Sequence, residues 1–284
     1  MTEVYHATDL GGGLYSIREK HLPDDPHCVM MYLVVGAERA ALVDTGFGVT
    51  DTLRGFVEGL TGKPILCIVA HGHPDHAGAA ALFDTVYMNA KDEPLLPVSL
   101  SYERRMDDVF GRGETDPEFK AYCEKHIVMT EKLNYAEMND GDVFDLGGKR
   151  LEVVAMPGHT QGSVALLNKE ENYALVSDCF SRRTALVKMP TEKRVGITAY
   201  RDGLARFMSL LDDDTKLYWG HGEGPVPHEV PSDMLRACNE VLDGKVGDDK
   251  PSESPFAKRP GMGNQKMMEH TCGCVTLVYN ANTL

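Results

Sequence analysis

The sequence predicts an α/β fold of two strand-rich halves, and three observations carry that expectation. Short apolar strands separated by Gly or charged turns fill the first third of the chain. The same texture returns from Val143 onward, and a long polar segment without strand alternation lies between. Strands interleaved with helical segments point to layered architectures in which helices cover sheets.

In chain order, Leu14 to Ile17, Cys28 to Val35, Ala40 to Val43 and Ile65 to Ala70 read as strands. Between the last two, Asp51 to Leu60 has helical spacing, with Leu53, Phe56, Val57 and Leu60 on one side. Lys91 to Asn139 is polar, Met- and charge-rich, and is expected to be an inserted helical element. Its large apolar residues, Met106, Phe110, Phe119, Tyr122, Met129 and Tyr135, either roof a pocket or bury themselves against the body. Strands resume at Val143 to Phe144, Arg150 to Ala155, Ser163 to Leu167 and Tyr173 to Val176. Helix is expected over Thr198 to Met208 and Ser232 to Leu242, with a short strand at Leu217 to Trp219. Residues 244–262 resemble a linker or surface arm, and Cys274 to Tyr279 regains strand character. Residues 1–243 are thus expected to form one domain, with 91–139 inserted and 244–284 as a C-terminal arm packed on it.

The strand Ile65 to Ala70 runs directly into His71-Gly72-His73-Pro74-Asp75-His76. An extended backbone alternates its side chains, so His71 and His73 leave the same face and converge on one ion. Pro74 bends the path, and Asp75 is placed as the N-cap of a helix over Ala77 to Phe83, sending Asp75 and His76 toward a second point. Three later segments put one more ligand-type residue at a strand end: Pro157-Gly158-His159-Thr160, Ser177-Asp178-Cys179 and Trp219-Gly220-His221-Gly222. Imidazole and carboxylate suit zinc, iron or manganese.

Composition narrows the partners. The chain has 29 Lys+Arg against 43 Asp+Glu, a formal charge of −14, which opposes both a nucleic-acid backbone and an anionic membrane. Its seven scattered cysteines in 284 residues do not form a disulfide framework and suggest a reducing compartment. No basic-then-apolar leader opens the chain and no apolar run reaches membrane-spanning length. A cytoplasmic protein acting on a small molecule is expected, with a homodimer as the oligomer to test.

The order H-x-H-x-D-H, then His159, then Asp178, then His221, together with Val43-Asp44-Thr45-Gly46 upstream, resembles the metallo-β-lactamase superfamily of metallo-hydrolases over about residues 10 to 230. The resemblance implies a four-layer αββα sandwich, here with a helical insertion and a C-terminal extension. It implies that His71, His73 and His159 hold one cation, that Asp75, His76 and His221 hold another, and that Asp178 bridges them. Asp44 would accept hydrogen bonds from behind the ligands, and Asp75 would also move a proton. Two divalent ions, zinc first with iron or manganese compatible, lower the pKa of a shared water from about 15.7 to near neutrality. The implied chemistry is attack by that bridging hydroxide on the activated carbonyl of a thioester, ester or lactone.

The bridging Asp is similar to that of the glyoxalase II and lactonase-like branch. Two departures stand out: Ser181 occupies the place where such lactonases carry Tyr, and Ser177-Asp178-Cys179-Phe180-Ser181 stands where glyoxalase II reads Gly-Asp-Thr-Leu-Phe. The alternatives are a mononuclear iron enzyme resembling persulfide dioxygenases, and a phosphodiesterase, which the lack of a basic arm disfavours. Arg182, Arg183, Lys188, Lys193 and Arg194, opposed only by Glu192, form a cationic stretch after Asp178; Arg182 and Arg183 are candidates for binding an anionic substrate. His6, His21, His27, His126, His228 and His270 are read as ordinary core or surface residues, Cys179 as packing, and Cys272-Gly273-Cys274 as strand.

Overall fold

A computed structural model describes residues 4–19, 28–111, 116–186, 196–253 and 266–282. The first sheet contains β1 (Tyr5–Gly11), β2 (Leu14–Glu19), β3 (Val29–Val35), β4 (Ala40–Val43), β5 (Ile65–Val69), β6 (Val86–Met88) and β7 (Ala136–Glu137), in that spatial order. It is antiparallel from β1 to β4 and parallel from β4 to β7. Helices α1 (Leu53–Leu60), α2 (Pro74–Ala77), α3 (Leu96–Ser99), α4 (Tyr102–Phe110) and α5 (Pro117–His126) belong to this half. The second sheet is built from β8 (Val143–Asp145), β9 (Arg150–Ala155), β10 (Val164–Asn168) and β11 (Tyr173–Ser177), with β12 (Arg183–Ala185) leaving it and β13 (Lys216–Trp219) returning beside β11. Helices α6 (Ile197–Met208) and α7 (Glu229–Leu242) cover it.

The layering follows from alternation along buried strands. On β3, Met31 and Leu33 pack with the helices of the first half, while Met30, Tyr32 and Val34 face the second sheet. Because both faces are covered, β3 reads as one continuous apolar run. The core between the sheets joins these residues to Val153, Leu166, Leu175 and Tyr218 of the second sheet. A third core lies outside the second sheet, where Val154, Leu167 and Val176 meet Tyr200, Phe207 and Met234 of the two covering helices. Helices, sheet, sheet, helices is the expected αββα sandwich.

Between β6 and β8 the described chain is largely helical, as its composition suggests, but it also contributes the edge strand β7, and much of it is core. Phe119, Val109 and Leu133 are buried against the first sheet, and Phe110, Tyr122 and Tyr135 pack around them. Arg105 on α4 is the largest fully buried side chain among the described residues. Its guanidinium donates to the carbonyls of Phe47 (3.2 Å), Gly78 (3.1 Å), Leu100 (3.1 Å) and Val128 (2.6 Å). A buried cation needs such full hydrogen bonding to be tolerated. Gly78 closes α2, so Arg105 ties the insertion to the element that carries Asp75 and His76.

Beyond α7 the described chain adds β14 (Lys250–Pro251), β15 (Met267–Cys272) and β16 (Val275–Asn280), which with β12 make a third sheet in the order β12-β16-β15-β14. Cys272, Val275, Leu277 and Tyr279 enter the core around α7, which makes this sheet an outer cover of the second half. The strand at the tail was expected from Cys274; β1, β12 and β15 were not. Each of these is short or carries polar side chains, so its identity comes from a distant partner. Of the residues read as a surface arm, 254–262 lie outside the described residues, as do Lys188, Glu192, Lys193 and Arg194. His270 is buried, with Nδ1 2.6 Å from Asp249 Oδ1 and Nε2 3.0 Å from Glu240 Oε2, and the Tyr279 hydroxyl donates to Asp249 Oδ2 at 2.6 Å. Among the described residues no helix is long and apolar enough to cross a membrane.

Candidate metal centre

Strand direction gathers the site. Strands β4 and β5 are parallel, so Asp44 and the His71 segment leave the same sheet edge. In the second sheet β9, β11 and β13 share one direction, since β9 and β11 flank the antiparallel β10 and β13 is parallel to β11. His159, Asp178 and His221 follow the ends of those three strands. The two edges are stitched together by Val164 N–H donating to Ala70 O (3.0 Å), Met30 N–H to Gly220 O (2.8 Å) and the Tyr32 hydroxyl to Trp219 O (2.8 Å).

This brings together all seven ligand-type residues read from the sequence. They fall into two groups, His71 with His73 and His159, and Asp75 with His76, Asp178 and His221, each with its potential ligand atoms within 4.8 Å of one another. His73 Nδ1 stands 2.9 Å from His159 Nε2. One oxygen, Asp178 Oδ2, lies 3.5 Å from His159 Nε2, 3.6 Å from His76 Nε2 and 3.2 Å from His221 Nε2, so it touches both groups. Asp75 Oδ2 is 3.4 Å from His76 Nε2 and 3.2 Å from His221 Nε2.

Helix α2 departs from the expectation of a helix over Ala77 to Phe83: the α-helix spans Pro74–Ala77, and only a 3-10 turn at Ala80–Leu82 follows it. It begins at Pro74 with His73 at its N-cap, which places Asp75 inside the first turn rather than at the cap. Proline favours the first helical position because its fixed φ suits the helix and it has no N–H to leave unpaired. Asp75 remains at the end of the helix where negative charge is favoured. The Asp44-Thr45-Gly46 turn clasps this helix: Thr45 N–H donates to His76 O at 2.8 Å and Gly78 N–H to Gly46 O at 3.0 Å.

Behind the ligands, Asp44 is buried and accepts from Ala70 N–H on Oδ1 (2.8 Å) and from the Ser177 hydroxyl on Oδ2 (2.7 Å), with His76 Nδ1 also 2.8 Å from Oδ2. Asp92 is a second buried carboxylate, which the sequence did not single out. Its Oδ2 accepts from Gly72 N–H (2.8 Å) and the Thr160 hydroxyl (2.7 Å), and its Oδ1 from Gly162 N–H (2.6 Å). It therefore clamps the His71–His73 loop to the His159 loop. Its only signal was one acid just past β6, a strand parallel to β5 and hence ending at the same edge.

The electrostatics favour cation binding. Burial, reinforced by His76, His73 and His159, pushes the His71 imidazole well below its usual range, and burial with His159 lowers His73 to about 3, so both are neutral donors at pH 7. In the other group burial pushes His76 and His221 down, but Asp75, Asp44 and Asp178 reverse this for His76, and Asp178 and Asp75 for His221. Asp75 and Asp178 stay well below the carboxylate range despite burial, which alone would raise them. The carboxylates thus demand positive charge here. His71 Nε2 is buried without a hydrogen-bond partner among the described residues, an unfavourable state that a coordinated cation would relieve. Nitrogen and carboxylate donors in these numbers fit divalent transition metals.

The other candidates sit elsewhere. Arg183 forms a two-pronged pair with Glu269 on β15 (2.9 and 2.7 Å), while the Arg182 side chain is exposed. The Ser181 hydroxyl turns back to Arg183 O at 2.9 Å. Cys179 is buried in the core under α6, and burial raises its thiol pKa. His126 stacks on Tyr122, with centroids 4.2 Å apart, and His21 and His27 lie outside the described residues.

Comparison with known proteins agrees with this geometry. A model of the metallo-beta-lactamase superfamily matches residues 25–221. The chain is 26% identical over 211 residues to a protein of Gallus gallus named acyl-coenzyme A thioesterase MBLAC2, covering 72% of this chain and 74% of that one. The Homo sapiens protein of the same name is 25% identical over 223 residues, covering 74% and 77%. Among solved structures, a beta-lactamase domain protein from Burkholderia ambifaria superposes with a TM-score of 0.60 at 19% identity, covering 84% of this chain and 74% of that one.

Proposed function

The chain belongs to the metallo-beta-lactamase superfamily, and from that premise we propose that it is a two-cation hydrolase of acyl thioesters, with acyl-coenzyme A as the first substrate class to test. The observation that carries the thioester reading is the similarity, across about three quarters of both chains, to relatives named acyl-coenzyme A thioesterases. Supporting the two-cation reading is the single carboxylate oxygen of Asp178 in contact with both ligand groups.

In this reading His71, His73 and His159 hold one divalent cation, Asp75, His76 and His221 the second, and Asp178 is shared. Zinc is the first choice, and such ions supply Lewis acidity and make water nucleophilic near neutral pH. Water adds across the C–S bond, leaving a carboxylate and a free thiol. Asp75 Oδ2, beside His76 Nε2 and His221 Nε2, would face the second cation, and the other carboxylate oxygen of Asp75 would take the proton of the attacking water and pass it to the departing sulfur. A thiol is acidic, with a pKa of about 8.5, so its sulfur leaves with little protonation and a weak general acid suffices. In the same reading Arg182, an exposed cation four residues after Asp178, would meet an anionic part of the substrate by charge-assisted hydrogen bonds.

The test is thiol release from acyl-coenzyme A substrates of several chain lengths, run beside an ester and a lactone, with metal analysis of the same preparation. Activity that disappears on chelation, returns with zinc, and accompanies about two cations per chain supports the reading. Full thioesterase activity after stripping would overturn it. So would a single iron together with oxygen uptake on glutathione persulfide.

A further inference from the structure

Two turns at the site, the one behind the ligands and the one that carries Asp178, hold non-glycine residues in the left-handed region, Asp44 at φ 64° and Ser177 at φ 45°. A β-carbon is crowded there, and glycine adopts the conformation more freely. A serine in such a place calls for a reason in its side chain. Ser177 Oγ lies 2.7 Å from Asp44 Oδ2, 3.2 Å from His76 Nδ1 and 3.5 Å from His71 Nδ1. It is thus the one described hydroxyl placed among Asp44, a histidine of the first group and a histidine of the second.

Proton counting fixes the roles. An ionised carboxylate only accepts, so Asp44 Oδ2 takes the Ser177 O–H and the His76 Nδ1–H, while Oδ1 takes the Ala70 N–H. With its one proton committed to Asp44, Ser177 Oγ offers His71 only lone pairs. His71 Nδ1 must then carry the proton and donate, which leaves the lone pair on Nε2, the atom buried without a hydrogen-bond partner.

We propose that Ser177 is a positioning residue that relays the carboxylate of Asp44 to His71 and holds that ring in the Nδ1–H tautomer. One carboxylate then sets the tautomer of a histidine in each group, His76 directly and His71 through Ser177. The consequence for cation binding rests on the reading of His71 Nε2 as a ligand; the tautomer itself does not.

The experiment compares wild type with Ser177→Gly and Ser177→Ala. Both variants lose the hydroxyl; the glycine variant also relieves the backbone, which separates strain from hydrogen bonding. Nitrogen–proton correlation spectra of the imidazole rings in the metal-free protein read each tautomer. The expected result is His71 as Nδ1–H in wild type, a mixed or Nε2–H ring in both variants, and His76 unchanged. Cobalt titration should show the cation bound through His71 weakened by about 10-fold or more in both variants. The glycine variant should melt no lower than the alanine variant. A wild-type His71 protonated on Nε2, or variants that keep the Nδ1–H ring and full cobalt affinity, would overturn the relay. Since the tautomer is read without metal or substrate, an inactive enzyme or a different metal count would leave this result standing.

Discussion

Gly220 leaves no room for a side chain beside Asp178: a β-carbon there would stand 2.4 Å from Asp178 Oδ1, and 2.8 Å from the His76 ring. The carboxylate in contact with both ligand groups is therefore held against bare backbone. Gly220→Ala must push Asp178 or His76 aside. A displacement of about 1 Å in a reacting group costs on the order of 100-fold, so kcat should fall by at least that much. Metal analysis should show a reduced cation content, while circular dichroism stays that of the folded protein.

Asp92→Ala would leave the Gly72 and Gly162 amides and the Thr160 hydroxyl without their acceptor. Loss of so well satisfied a buried carboxylate should cost about 3 kcal/mol, measurable by urea unfolding. It should also weaken cation binding through His71, His73 and His159 by about 10- to 100-fold. Asp92→Asn keeps one carbonyl oxygen but turns an amide N–H₂ toward one of these donors, and should fall between the two.

His270 gives stability a pH dependence away from the site. Burial pushes its imidazole down, but Asp249 and Glu240 outweigh this and raise its pKa. A raised group contributes its full stability below the unfolded pKa of about 6.5 and loses it as pH rises through the folded value. Wild type should therefore exceed His270→Ala by about 1–2 kcal/mol near pH 6, with the gap narrowing above neutrality. Denaturant curves at several pH values would show this; a gap independent of pH would mean the ring acts only by packing.

Arg183 and Arg182 should behave differently. Arg183 is engaged by Glu269, and its partly exposed pair is worth only about 0.5 kcal/mol after solvent screening. Arg183→Ala should lower stability slightly and leave KM for acyl-coenzyme A near the wild-type value. Arg182→Ala should raise that KM several-fold with little change in melting temperature. Steady-state kinetics on the two variants decides between them.

The ligand-type residues were legible because each follows an apolar strand in an order that restricts the possible folds. Their mutual distances were not, since these depend on how the two sheet edges meet. Asp92 escaped notice because one acid in a polar segment looks like any other until its three donors are seen. Ser177 stood in plain view beside Asp178, yet its role depends on a positive φ that sequence does not display. The cover sheet was hidden for a different reason: β12 pairs with β16 about ninety residues later, and neither β12 nor β15 has enough apolar alternation to announce itself. Arg183 looked like a free cation because its partner Glu269 lies equally far away.

Neither ligand group belongs to one half of the sandwich. His71 and His73 come from the first sheet and His159 from the second; Asp75 and His76 come from the first, Asp178 and His221 from the second. Each cation would therefore act as a cross-link between halves as well as a reagent, and its affinity would include the work of keeping the two sheets in register. Zinc should slow proteolysis at the seam more than within either half, and neither half alone should retain the affinity of the whole. Coordination here would be a form of tertiary structure, in which the measured strength of metal binding reports how firmly the sandwich is closed.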